Sequence, residues 1–213
     1  MNTVRPRQIR LEASSACQLR CPVCPTAQGK IRESVVGTGF LKFDDFRRLV
    51  DSNLSIVAIE LSNWGEALLN PELPRILGYA HQKGIRIYLS NGVNLNHASE
   101  EVLEALVKYS VQNIRVSIDG ASQEVYQQYR VEGDFDQVIE NIRRINEYKR
   151  EYHVERPHLT WQFIIFGHNE QEIEAARKLA EQLQMIFDPK LNHSPGFSPI
   201  RNRDQVVEQA GIP

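Results

Sequence analysis

Apolar positions along the chain change period repeatedly, and the changes predict strands alternating with helices. Strand-like runs fall at 8–13, 56–61, 85–89, 113–118, 159–166 and, as a short one, 185–187. The second run, Ile56-Val57-Ala58-Ile59-Glu60-Leu61, is nearly continuous in apolar residues, as expected of a parallel strand covered on both faces. In the fifth, a period of two puts Trp161, Phe163 and Ile165 on one face and Gln162, Ile164 and Phe166 on the other. Helical stripes lie between the runs: Phe43, Phe46 and Val50; Val138, Ile142, Ile145 and Tyr152; Ile173, Ala176, Ala180 and Leu183. Gly84 precedes Ile85 where a helix-ending glycine is expected. Alternation of this kind means βαβ units, right-handed crossovers and a parallel sheet. Six units are too few for an eight-stranded barrel, so the expected fold is α/β: a partial (β/α)6 TIM-like barrel of parallel strands, open on one side. The core domain is expected over 1–188. Beyond it Pro189, Pro195, Gly196, Pro199 and Pro213 predict a loop-rich extension, 189–213, with a short helix near 204–209.

Composition narrows the class. Hydrophobic residues make up 41% and charged residues 24% of 213, the balance of a globular protein rather than a disordered tail or a fibre. The 25 Lys and Arg against 27 Asp and Glu leave a net charge of -2, with no bulk basicity to hold a nucleic acid. No apolar run reaches the roughly 18–20 residues of a membrane span. The N-terminus has no apolar signal segment, and the expected location is cytoplasmic.

All three cysteines fall in one short run, Cys17-Gln18-Leu19-Arg20-Cys21-Pro22-Val23-Cys24. An odd count argues against a disulfide framework. Pro22 and Pro25 argue against a helix that would merely bury three thiols on one face. Metal ligation is the better reading. A structural zinc site wants four protein ligands, and with no second cysteine pair the fourth could only be a distant His or carboxylate. A 4Fe-4S cluster is ordinarily held by four thiolates, so three leave one iron open to bind a substrate or cofactor.

The CxxxCxxC spacing resembles the signature of the radical S-adenosylmethionine (SAM) enzymes, in which SAM chelates the open iron. The resemblance implies a partial barrel with ligands beyond the C-terminal strand ends, where parallel barrels bind them. Polar residues should then follow the strands, and they do. Ser62-Asn63-Trp64-Gly65-Glu66-Ala67 resembles the family's GGEP-type motif, with Trp64 and Ala67 departing from it. By that match Glu66 would accept hydrogen bonds from the SAM amino group. Ser90-Asn91-Gly92 resembles a TNG motif, placing Asn91 at the ribose hydroxyls or the polar end of SAM. Ser117-Ile118-Asp119-Gly120, with Arg130 a short way on, is similar to relatives of the SPASM type. It implies that Ser117 and Arg130 bind the SAM carboxylate, leaving Asp119 a turn or substrate residue. Phe166 is the expected adenine neighbour, while Val23 replaces an aromatic often found beside the third cysteine. His168 ends the fifth strand and is not assigned a catalytic role.

The resemblance spans about 8–187 and carries an expected activity. The cofactors would be a 4Fe-4S cluster on Cys17, Cys21 and Cys24, and S-adenosyl-L-methionine. An electron donor such as flavodoxin or ferredoxin would reduce the cluster, SAM would be cleaved to a 5′-deoxyadenosyl radical, and that radical would abstract hydrogen from an unidentified peptide or small metabolite. SPASM-type relatives continue into a cysteine-rich auxiliary-cluster domain, whereas no cysteine follows Cys24. The chain is expected to be either a minimal enzyme or the N-terminal part of a longer one. The alternative is a non-catalytic zinc or iron–sulfur module without SAM affinity.

Overall fold

A computed structural model describes residues 5–34, 36–194 and 196–212. Six strands form one sheet in sequence order: β1 (Gln8–Arg10), β2 (Ala58–Glu60), β3 (Arg86–Val93), β4 (Asn113–Ser117), β5 (His158–Ile165) and β6 (Ile186–Leu191). Every neighbouring pair is parallel. Helices α1 (Phe43–Ser52), α2 (Leu73–Gln82), α3 (Glu100–Lys108), α4 (Gln123–Tyr129), α5 (Phe135–Glu151) and α6 (Ile173–Gln182) make the crossovers, and α7 (Arg203–Ala210) follows β6. The sheet is the expected partial barrel, with β1 and β6 as its edges. Among the described residues no helix is long and apolar enough to cross a membrane.

The predicted periodicity sets the packing. In β5, Leu159, Trp161, Phe163 and Ile165 are buried against the helices, while alternate residues on the inner face stay half-exposed. Gly84 adopts a left-handed φ of 68° before β3, as its place after α2 requires. Ser99 caps α3 by accepting the Val102 N–H, and Asp134 caps α5 by accepting the Gln137 N–H.

Three expectations are corrected. Tyr152 lies just beyond α5 and is 39% exposed, so Tyr148 closes that stripe instead. β3 runs past 89 to Val93, with a register shift that absorbs Ser90-Asn91-Gly92 into the strand. β6 reaches Leu191 although Pro189 cannot donate to a ladder, which an edge strand tolerates. The extension does form a helix near 204–209, and it docks: Val206 and Ala210 are buried, and the Gly167 N–H donates to the Ser198 carbonyl at 2.7 Å.

Candidate functional site

The segment leaving β1 folds back so that its ends meet. Ser14 bridges Phe40, and the Leu41 N–H donates to the Ala13 carbonyl at 3.0 Å. Inside this closed loop, tight turns bring the Cys24 N–H to the Cys21 carbonyl (3.1 Å) and the Gln28 N–H to the Cys24 carbonyl (3.0 Å). All three thiols are free. They pack with Leu19, Tyr129 and Phe166 in a small apolar cluster set apart from the main core. Burial pushes the Cys17 thiol up to about 12, with the charges of Glu66, Cys21 and Cys24 adding to it. Burial also raises Cys21, against the pull of the Arg130 guanidinium. Burial of Cys17 and Cys21 disfavours their thiolates, and a bound metal would supply the positive charge that holds them.

Cys17, Cys21 and Cys24 line a cavity of about 190 Å³ together with Glu66, Asn91, Ser117 and Arg130. Seven of the eight expected site residues therefore meet in one space at the C-terminal strand ends. The eighth, Phe166, is fully buried just behind the cysteine loop, its ring 4.5 Å from that of Tyr129.

Glu66 is held by its neighbours on every side. Gly65 presses so close to the start of the cysteine loop that a Cβ there would lie 2.1 Å from the Ser14 carbonyl oxygen. The Glu66 N–H donates to the Ala16 carbonyl at 2.8 Å. Its carboxylate, only 3% exposed as a residue, accepts the Leu68 N–H at 3.2 Å and the Asn94 N–H at 2.6 Å. Burial nevertheless pushes it up to about 7, opposed by those two N–H groups and by Arg130. Among the described residues no cation forms an ion pair with this carboxylate, a place that a ligand amino group would take.

Gly92 has a φ of 117°, and a Cβ on it would stand 2.6 Å from the Ser117 hydroxyl oxygen. The bulge in β3 thus makes the room in which Ser117 faces the cavity. Asn91 turns its amide onto the Ser62 carbonyl at 2.6 Å. Arg130, at the end of α4, donates from Nε to Asp119 Oδ2 at 2.7 Å, and its Nη1 stands 3.8 Å from Cys21 Sγ. Burial works against the guanidinium's charge, but Asp119, Cys21, Tyr126 and Tyr129 together raise its pKa well above the usual value.

Asp119 takes a different part from the one expected of it, and Asn94 was missed. Asp119 is fully buried, and its Oδ1 also accepts the Ile164 N–H at 2.7 Å, so it fixes Arg130 rather than closing a turn or meeting substrate. Asn94 spans Glu66 through its backbone N–H and Cys17 through its side chain, with Nδ2 3.7 Å from Sγ. Its position beyond the Ser90-Asn91-Gly92 motif was the available signal. His168 turns away: Nδ1 lies 2.8 Å from the Ser198 hydroxyl and its ring stacks on Phe166.

The donor set fits a cluster better than a single ion. Among the described residues no three His, Cys, Asp or Glu side chains gather around one ion position, yet three thiols line one cavity. The Radical SAM superfamily matches residues 11–180. An AdoMet-dependent heme synthase of Methanosarcina barkeri is 33% identical over 143 residues, 66% of this chain and 39% of that protein. Mycofactocin maturase MftC of Mycobacterium tuberculosis is 26% identical over 138 residues, 63% of this chain and 33% of that protein. The matches thus span well under half the length of these curated relatives. The crystal structure of Streptococcus suis SuiB bound to S-adenosylmethionine superposes with a TM-score of 0.69 over 97% of this chain and 47% of that one. At 12% identity that likeness carries the fold alone.

Proposed function

The chain belongs to the radical SAM superfamily, whose cofactors are a 4Fe-4S cluster and SAM, and on that premise we propose that Cys17, Cys21 and Cys24 ligate the cluster while the adjoining cavity binds SAM. One observation carries the reading: thiols from the loop after β1 share a single cavity with polar side chains at the ends of β2, β3 and β4. Held by Cys17, Cys21 and Cys24, the cluster would supply one-electron reducing chemistry to SAM bound in the cavity beside it.

The chain's own residues bind, orient and shield. Glu66 takes the amino group, its two backbone donors fixing both oxygens in place. Ser117 and Arg130 take the carboxylate, for which a guanidinium is well shaped. Asp119 is a positioning residue: by occupying Nε it leaves the Nη end of Arg130 toward the cavity and Cys21. Asn91 serves the ribose hydroxyls, and Phe166 lies beside the adenine. Asn94 donates toward the Cys17 sulfur, a contact of the kind that tunes cluster potential. No side chain is required as acid or base for the radical step. The acceptor of the radical is a peptide or small metabolite entering through the open side of the barrel, and a flavodoxin or ferredoxin supplies the electron. The core domain that does this runs through the end of β6 at Leu191, with the residues beyond it as its extension.

Anaerobic reconstitution with iron and sulfide, followed by calorimetric titration with SAM, tests the assignment. Iron–sulfur absorption together with saturable SAM binding is expected. Bound metal with no SAM affinity would instead fit the non-catalytic metal module.

A further inference from the structure

The inner face of the sheet is not filled as barrel interiors usually are, with branched apolar side chains. Tyr88, Ser90, Arg115, Gln162, Asp188 and Lys190 are half-exposed there, while Leu89, Ile114, Val116, Trp161 and Phe163 between them are buried toward the helices. Register places Ser117 beside Gln162 and Gln162 beside Asp188, so side chains from β4, β5 and β6 meet. Arg115 Nη1 and Lys190 Nζ share one carboxylate oxygen, Asp188 Oδ2, at 3.2 and 3.5 Å. Both also reach Gln162 Oε1 at 3.5 Å. Two cations thus divide one carboxylate, and Arg115 Nε is buried with no hydrogen-bond partner. A guanidinium and an ammonium together carry more N–H donors than the lone-pair sites of one carboxylate and one amide oxygen, roughly eight against six. Glu60 lies on the same face, but its carboxylate is turned to the Ser62 N–H and hydroxyl and the Ser90 N–H and, among the described residues, forms no ion pair with Arg115 or Lys190.

We propose that Arg115 and Lys190 bind an oxyanion carried by the substrate, a carboxylate or a phosphate, on the inner face of the barrel. Asp188 holds the two cations apart and in place until that group arrives. Gln162 joins this site to the cavity, which it lines, and its Nε2 stands 3.5 Å from the Ser117 hydroxyl. An anion held at Arg115 therefore leaves the rest of its molecule pointing at the cysteine loop. The role as a substrate anchor rests on the cavity being the SAM pocket, whereas the anion site itself stands on the charge excess alone.

The test titrates inorganic phosphate and, separately, glutarate into the reconstituted chain by calorimetry. One or both should bind in the millimolar range, and the tighter of the two identifies the group carried by the substrate. Arg115→Gln and Lys190→Gln should each weaken binding by about tenfold or more, as loss of a charge-assisted contact requires. Asp188→Asn should strengthen it, since the cations then lose their competing carboxylate; a purely structural ion pair would not move in that direction. If Arg115→Gln does not fold, Lys190→Gln on the half-exposed edge strand carries the test. Absence of binding by either anion up to about 20 mM, or binding unchanged in the folded variants, would overturn the proposal. Anion binding with this pattern in a protein that assembles no cluster would uphold the anion site and refute the SAM reading, so the two failures are distinguishable.

Discussion

Among the described residues Glu66 is the only carboxylate lining the cavity, and Glu66→Gln removes its charge with little change in shape. The substitution keeps one acceptor for two backbone donors, Leu68 and Asn94, which costs about 1 kcal/mol. Against that stands the burial of the charge. The carboxyl is raised from 4.5 to about 7 in the folded chain. A raised group contributes its full stability below its unfolded value and loses that contribution as pH rises through the folded value. The shift from 4.5 to about 7 corresponds to roughly 3 kcal/mol, lost across that interval. Urea denaturation of the cluster-free protein at a series of pH values should therefore show a decline in the wild type that Glu66→Gln lacks. In the reconstituted protein the same variant should weaken SAM binding by about 10- to 150-fold, the equivalent of a charge-assisted hydrogen bond of about 1.5–3 kcal/mol. Cluster absorption should be unchanged. Parallel pH–stability curves, or SAM affinity within about threefold of wild type, would refute the reasoning.

Other substitutions probe the frame around the pocket. Asp119→Asn leaves Arg130 buried without its carboxylate and should destabilise the fold by about 3–5 kcal/mol in chemical denaturation, with loss of SAM affinity. Gly92→Ala drives a Cβ to 2.6 Å from the Ser117 hydroxyl at a φ of 117°, so SAM binding should fall while the cluster still assembles. Gly65→Ala, with its Cβ 2.1 Å from a backbone carbonyl, should impair cluster assembly and SAM binding together, read by iron content and calorimetry. Cys17→Ala, Cys21→Ala and Cys24→Ala should each abolish iron–sulfur absorption after reconstitution.

Strand order and the place of the site followed from the alternation of apolar runs, because a parallel barrel puts its loops at one end whatever their detail. The cysteine run and the polar residues after β2, β3 and β4 were legible for that reason. What the sequence hid depended on contacts distant along the chain. Asp119 read as a turn or substrate residue because Ile164, whose N–H it accepts, lies 45 positions away. Asn94 looked ordinary until β3 bulged and brought it between Cys17 and Glu66. Tyr152 carried the right period but stood past the helix end, and Pro189 hid the continuation of the sixth strand to Leu191, which an edge position tolerates. The pairing of Arg115 with Asp188 likewise depends on the register of three strands rather than on any local motif.

Reduction of the reconstituted protein with dithionite in the presence of SAM, with chromatographic detection of 5′-deoxyadenosine, tests the central claim most directly. Formation of 5′-deoxyadenosine and methionine by the wild type, and its absence in Cys17→Ala, is the predicted result. A protein that assembles its cluster and binds SAM yet yields no 5′-deoxyadenosine on reduction would contradict the account.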